Sequence, residues 1–303
     1  MEYVMPVWDE KTGRNKVIQI ENRSIRYYNK AFSKKNIMTL DTTTFDVRAG
    51  KVTMDADISN AYIRGEGVSY SKRLLLGGYS SFIHIVDISY ESQTDVILDK
   101  SRRALMNCPL DYIHGVRLPI TKLTPSWIRL LKNHSIFLIC IKPKTVESLL
   151  SIPWGRILEA AFPKRMMFVL DPDIETENEK GLKEIEQAWS RLITRFSINS
   201  FMEISSFTND LPLLFLKRMG LYPHKGSFDS GSDADYFMYE KNDPMKNKYI
   251  APAIIVQKGE ILKAGTSWYL DNKKGKELKY IIPEQLLSIE NIHRYQIERS
   301  KFS

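Results

Sequence analysis

Few side chains in this sequence have the types and spacing to carry out chemistry. Three aspartates, Asp229, Asp233 and Asp235, follow a DxxxDxD spacing. Carboxylates at such spacing can form a calcium loop, but aspartates beside glycine and serine are also common in tight turns, and we favour the turn. The sequence has no GxSxG, HExxH, CxxC or P-loop motif. A motif search alone therefore assigns no reaction.

Candidate strands and helices alternate through the middle of the chain. The run SIFLICI (135–141) is continuously apolar, as a buried parallel strand requires, and MMFVLD (166–171) is a second such strand that ends in Asp171. Between these runs the pattern predicts helices over 124–131 and over 145–161, the second interrupted at 152–154. Near the N-terminus, short runs rich in β-branched and aromatic residues predict strands at 17–20, 24–28, 43–47, 51–54 and 61–63.

The stretch GLYPHKGSFDSGSDADYFMYE (220–240) predicts the end of a helix, a tight turn and a strand. The apolar segment before it ends in Lys217 and Arg218, where cations suit the helix dipole. Gly220 can adopt the left-handed conformation that closes a helix. The glycines and aspartates then reverse the chain, and residues 234–239 form a short apolar strand.

The pattern GLYPxKGxxxxGSDAD, followed by a hydrophobic strand, resembles the segment by which certain amidohydrolase-superfamily enzymes leave the catalytic barrel and re-enter a small β-domain. These enzymes are of the dihydropyrimidinase, hydantoinase, allantoinase and dihydroorotase type. The resemblance implies an α/β fold: a partial or rearranged TIM-like (β/α) barrel with a composite β-sandwich domain from the N- and C-terminal segments. It implies boundaries of 1–73 and 221–283 for the β-domain, 74–220 for a shortened barrel, and 284–303 for a tail.

The resemblance also indicates where metal ligands would lie. The family pattern PGGxDxHxH ends the first barrel strand, and on LLLGGYSSFIH (74–84) it places Phe82 at the first histidine and His84 at the second. It places Leu138 where the family has the lysine whose carbamate bridges two metals. Two alignments remain for Asp171. If residues 166–171 match the family strand that ends in VHAE, Leu170 replaces a histidine ligand. If they match the family's last barrel strand, Asp171 is itself the metal ligand and proton carrier. We favour this second alignment.

The number of matched ligands decides the functional prediction. Hydrolysis of a cyclic amide needs a metal-bound hydroxide and a carboxylate that shuttles its proton, and the metal needs about three or more ligands. Only His84 and Asp171 match the family pattern. The resemblance therefore implies a non-catalytic pseudoenzyme, without cofactor, that acts as a scaffold or regulatory subunit in a homo-oligomer or with an active homologue.

Two alternatives remain open. The first is a metal-dependent hydrolase of a cyclic amide or related C–N bond, with Asp171 as catalytic residue and zinc held by His84 and Asp171. The second is a binding module for small molecules or polyanions. Scattered basic residues give a net charge of +8 without any block of like charge, so we expect no specific nucleic-acid partner.

Composition indicates where the protein resides. The sequence has no run of eighteen apolar residues, and its N-terminus lacks an apolar signal core, so we expect no membrane association. Cys108 and Cys140 both lie in apolar surroundings without CxxC spacing. Free buried thiols are typical of a reducing compartment, and the expected location is the cytoplasm.

Overall fold

The computed structural model describes residues 2–9, 14–29, 37–171, 179–202, 210–241 and 251–278. Its strands are β1 (Glu2–Asp9), β2 (Arg14–Glu21), β3 (Ser24–Asn29), β4 (Met38–Thr39), β5 (Phe45–Ala49), β6 (Lys51–Asp55), β7 (Tyr79–Asp87), β8 (Asp111–Pro119), β9 (Leu138–Lys142), β10 (Met167–Leu170), β11 (Tyr236–Glu240), β12 (Ile254–Gln257), β13 (Glu260–Ala264) and β14 (Ser267–Trp268). Its helices are α1 (Ile58–Ile63), α2 (Gly67–Leu76), α3 (Thr94–Ala104), α4 (Pro125–Asn133), α5 (Val146–Leu150), α6 (Trp154–Ala161), α7 (Glu179–Phe196) and α8 (Leu213–Arg218). None of these helices is both long and apolar enough to cross a lipid bilayer. The predicted tail, 284–303, lies outside the described residues.

Five parallel strands form one sheet in which strands that follow one another in sequence are neighbours in space. Their order is β6-β7-β8-β9-β10, and helices connect them. This sequential order is the arrangement of a (β/α) barrel, and here the sheet curls into half of one. Phe168 in β10 forms a further parallel bridge with Ser200. Among the described strands β10 stands at the edge of this sheet, and the alignment of residues 166–171 with the family's last barrel strand stays a prediction.

The parallel sheet begins earlier than the sequence indicated. Lys51–Asp55, expected in the N-terminal β-domain, pairs in parallel with β7, so β7 is the second strand and the sheet does not start at residue 74. Residues 61–63, predicted as a strand, lie in α1. A carboxylate explains this difference, because Asp55 Oδ1 accepts hydrogen bonds from the backbone amides of Asp57 (2.9 Å) and Ile58 (2.7 Å) and so favours a helix start. The composition of a short β-branched run does not show that a preceding carboxylate will accept these amide hydrogen bonds.

Two further sheets flank the parallel one. The first has the order β3-β2-β1-β4, and the second, which is antiparallel, has the order β14-β13-β12-β11-β5. In the second sheet Phe45–Ala49 pairs with Tyr236–Glu240, so a strand from the first fifty residues shares a sheet with strands from the last seventy. The two sheets pack together through a core that includes Met5, Ile18, Val47, Tyr236 and Val256.

Both faces of the parallel sheet are buried, as is usual for parallel strands, but against different partners. We call the side that packs on the connecting helices the helix face; its members include Phe82, Tyr112, Val116, Ile139 and Phe168. We call the opposite side the inner face; its members include Ile83, Ile85, Ile113, Leu138 and Cys140. The inner face packs on residues of the segment 201–221, which contains α8.

Candidate functional site

The inner face is where a barrel of this kind would hold its ligands, because catalytic residues come from the strand ends that surround the barrel axis. Here Ile83, Ile85 and Leu138 are each exposed by 1% or less. Phe215 and Leu216 of α8 pack against the same cluster. Leu138, which stands where the resemblance places the bridging lysine, is thus part of a hydrophobic core. Apolar side chains fill the space that a polar site would need.

His84 lies on the helix face of β7, in strand register with Asp55 and His114. Its Nδ1 is 3.0 Å from the backbone oxygen of Asp55, which can only accept, so Nδ1 carries the ring proton. The rings of His84 and His114 meet edge to face with 5.6 Å between centroids. Burial, reinforced by His114, lowers the pKa of His84 to about 3. The imidazole is therefore neutral and turned away from the barrel interior.

Phe82 shares the helix face with His84, since alternate residues of a strand point the same way. Its ring stacks on Tyr112 with 5.8 Å between centroids. The resemblance places residues 82 and 84 at ligand positions of the first barrel strand, whereas both side chains point away from the barrel interior. The glycine pair before β7 explains the difference: Gly77 is the C-cap of α2, and Gly78 has a φ of +87°, so the pair ends a helix and does not lead into the first strand.

Asp171 follows β10 at the carboxyl edge of the sheet. Its buried carboxylate forms an ion pair with Arg117 of β8, and its amide donates to Ile141 O at 2.9 Å. Arg117 also lies 3.3 Å from Asp87, the last residue of β7. We call Asp87, Arg117 and Asp171 the carboxyl-edge cluster. Asp171 was a predicted site residue; Asp87 and Arg117 were missed, although both stand at a strand end.

A cavity of about 970 Å³ opens beside the carboxyl-edge cluster. The ends of β7, β8 and β9 and the first turns of α5 and α7 line it. Its charged lining residues carry both signs: Arg117, Lys142, Lys144 and Lys180 are basic, and Asp87, Glu147 and Glu184 are acidic. In α/β sheets such a crevice at the carboxyl ends of the strands is the usual place for a small ligand.

The metal centre that the fold family implies does not fit these residues. His84 and Asp171 stand on β7 and after β10, three strand spacings or roughly 14 Å apart across the sheet, whereas metal ligands must converge within bonding distance. The carboxylate of Asp171 is already paired with the guanidinium of Arg117. Within the part of the chain that the structure describes, no three histidine, cysteine or acidic side chains are grouped so that they could hold a metal ion.

The aspartates of the GSDAD motif hold an ammonium group. Lys225 Nζ lies 2.6 Å from Asp235 and 2.7 Å from both Asp233 and Asp111, and Lys258 Nζ lies 2.6 Å from Asp111. Burial alone would lower the pKa of Lys225, but the three carboxylates outweigh it and raise that pKa. We call this group the lysine knot. Its ion pairs connect the turn after α8, through Lys225, to Asp111 of β8, and Asp111 to Lys258 in the hairpin of β12 and β13. The motif therefore has a structural role.

Comparison with known proteins agrees with this architecture. No protein-family model and no curated protein sequence matches the chain. Among solved structures, a D-hydantoinase matches with a TM-score of 0.55 at 10% identity, over 93% of this chain and 99% of that one. A dihydropyrimidinase from Brevibacillus agri matches with a TM-score of 0.56 at 8% identity over the same shares, and a triazine hydrolase variant with 0.51 at 10% over 89% and 96%. At such identities the likeness is one of fold, and the chain shares the fold of these amidohydrolase-superfamily hydrolases.

Proposed function

We propose that this chain is a pseudoenzyme with an amidohydrolase-like fold, non-catalytic for the metal-dependent hydrolysis of that fold, which acts as a scaffold or regulatory interaction subunit. The packed inner face is the observation that carries the proposal. A metal-bound hydroxide requires polar ligands and water at the barrel axis, whereas Ile85, Leu138 and Phe215 fill that space with apolar groups. A polar site that loses its metal is costly to bury unless hydrophobic side chains replace it, and this replacement is what the sequence provides.

We further propose that the two outer sheets form one composite β-sandwich domain. The pairing of β5 with β11 and the shared core around Met5, Val47 and Val256 support this assignment. The proposed partner is a second copy of the chain or an active homologue with the same fold. Sedimentation velocity on the purified chain tests the first partner: we expect a species heavier than one chain, and a purely monomeric protein across the micromolar range would exclude self-association.

Metal content tests the absence of the family's chemistry. We would measure bound zinc, manganese and iron in the untagged full chain, in His84→Ala and in Asp171→Ala, after growth in metal-supplemented medium. We expect far less than about one ion per chain in all three proteins, because fewer than three ligands converge anywhere in the described segments. A parent protein with a stoichiometric metal that either variant loses would overturn the proposal and favour a metal-dependent cyclic amidohydrolase.

A binding module for small charged molecules is the second candidate function. The cavity beside the carboxyl-edge cluster favours it, because its lining carries both signs of charge at the place where α/β folds hold ligands. Thermal-shift screening of small anions and zwitterions, followed by calorimetry of any hit, tests this function. A hit that Lys142→Ala weakens and Lys72→Ala, on a distant helix, leaves unchanged would support it. A polyanion hit would instead weaken steeply between low and physiological salt.

A further inference from the structure

Ser101, His114 and Glu277 form a hydrogen-bonded chain on the helix face of the parallel sheet. Ser101 Oγ in α3 is 2.9 Å from His114 Nε2 in β8, and His114 Nδ1 is 3.0 Å from Glu277 Oε1. The His114 side chain is fully buried, and Ser101 is 5% exposed. A hydroxyl, an imidazole and a carboxylate in this order, with these two nitrogens, match the geometry of a nucleophile, its base and the group that orients the base.

The proton positions follow from the partners. Burial alone would raise the pKa of Glu277, but His114 and Arg102 outweigh it and lower that pKa to about 2. The ionised carboxylate can only accept, so His114 Nδ1 carries the ring proton and Nε2 accepts the hydroxyl proton of Ser101. Arg102 donates to both oxygens of Glu277, at 3.0 Å and 3.2 Å, and holds the carboxylate in place.

A small cavity adjoins the serine. It has a volume of about 210 Å³, and its lining includes Ser101, Asn60, Lys100 and His84. Among these lining residues, Asn60 and Lys100 carry side-chain hydrogen-bond donors. The volume is below the roughly 300–1,000 Å³ of pockets that enclose drug-sized ligands, so the cavity selects a short acyl group.

We propose that Ser101 and His114 form a metal-independent site that hydrolyses esters of short carboxylic acids. Ser101 Oγ bonds to the acyl carbon while its proton passes to His114 Nε2. The carbon–oxygen bond to the alcohol then breaks, and the leaving alcohol takes that proton. Water repeats the sequence on the acylated serine, which releases the carboxylic acid and restores Ser101.

The remaining residues have supporting roles. Asn60 and Lys100 stabilise the negative charge that develops on the acyl oxygen. Glu277 is a positioning residue, because it holds the tautomer and orientation of His114 and does not touch the ester. The inference does not rest on the function proposed above: this site lies on the helix face, and the scaffold proposal rests on the inner face.

The test uses the full chain and two small probes, 4-nitrophenyl acetate and methanesulfonyl fluoride. We expect ester hydrolysis above the rate of free imidazole, and a single sulfonyl label on Ser101 by peptide mass spectrometry. Ser101→Ala should lose the label and about 100-fold or more in rate. Ser71→Ala, which changes another buried helical serine outside the cavity, should retain both.

Glu277→Gln provides a second test if Ser101→Ala does not fold. This variant should lower kcat by about 100-fold with KM unchanged, because the imidazole loses its orienting charge while the cavity is intact. Hydrolysis by the parent chain no faster than by Ser101→Ala, a label on residues other than Ser101, or an equal change in kcat and KM for Glu277→Gln would each overturn the assignment.

Discussion

The two faces of the parallel sheet differ in how they use the same strands. On β7 and β8 the inner face carries Ile83, Ile85 and Ile113, whereas the helix face carries His84 and His114. Alternation along a strand means that a shift of one residue would exchange these sets. The fold of known hydrolases is thus combined here with an apolar core on the inner face of the sheet, and the two imidazoles lie under the helices. Fold and chemistry are separable within one sheet.

The cost of burial explains why the two faces look so different. A buried polar group needs a hydrogen-bond partner, and on the helix face Asp55, Ser101 and Glu277 supply partners for the two imidazoles. The hydrophobic cluster of the inner face needs no partners, because its side chains are apolar, and the charged Asp87 and Arg117 at the strand ends pair with each other. The comparison therefore predicts that mutations lower the free energy of unfolding in two ways. On the inner face they create cavities, and elsewhere they leave buried charges unpaired.

Replacement of the buried ammonium group of Lys225 tests the effect of unpaired buried charges most strongly. Lys225→Met leaves Asp111 and Asp235 without their common cation, and we expect the free energy of unfolding to fall by about 3–5 kcal/mol in urea titrations. Lys51→Met is the matched control, because its ion pair with Asp210 is about half exposed and contributes less than about 1 kcal/mol. Equal losses in both variants would contradict a buried knot.

Truncation of an inner-face side chain tests the effect of a cavity on stability. Phe215→Ala removes a fully buried ring that covers the inner face, and we expect a loss of about 3–4 kcal/mol from burial and cavity terms together. Phe162→Ala, at a ring that is 75% exposed, should change stability by less than about 0.5 kcal/mol. A small effect at Phe215 would mean that the barrel axis is open.

The pH dependence of stability tests the helix face. The native pKa of His84 is about 3 and its ordinary value is 6.5, so between these values the unfolded chain binds a proton that the native chain does not. Stability should therefore fall as pH drops through this window, by about 1.4 kcal/mol per pH unit at the steepest part. Urea titrations from pH 7 to pH 4 should show a flatter profile for His84→Asn, and parallel profiles would contradict the buried neutral imidazole.

Glu277 should give the smallest effect, and its pKa is also lowered, but by its partners and not by burial. Its pKa falls from 4.5 to about 2, so its stabilising contribution is present above pH 4.5 and is lost as pH falls through 2. We expect Glu277→Gln to cost about 1 kcal/mol at pH 7, since a third of the side chain is exposed and water screens the pair. The difference between the two proteins should vanish near pH 2; a constant difference would assign the effect to packing.

Local patterns predicted much of the fold. The helix predicted over 124–131 is confirmed, and Thr124 caps it, since its Oγ1 accepts from the amide of Trp127 at 3.1 Å. The helix that ends before Gly220 is also confirmed, and Gly220 has a φ of +68°. The apolar run at 135–141 covers β9 except for its last residue, and the run at 166–171 contains β10. Each of these predictions rests on residues within about one turn or one strand of each other.

The site could not be predicted in the same way, because its members are joined by the tertiary fold. His114 and Glu277 are 163 positions apart, and Asp87 reaches Asp171 only through Arg117. The first strand was misplaced for a related reason: the run 51–54 has the same β-branched composition whether it pairs in a sandwich or in a barrel. The face that His84 occupies depends on this pairing, and the sequence pattern does not contain it.

The free energy of unfolding of Leu138→Asn tests the central claim most directly. Asparagine has the branched shape of leucine, although it is smaller, and it brings an amide into the inner face. If that face is a packed core, the buried amide finds no partner and urea titration should show a loss of about 3 kcal/mol or more, with the similar-sized Leu138→Met close to the parent. A loss below about 1 kcal/mol for Leu138→Asn would show that water reaches the barrel axis and would contradict the account.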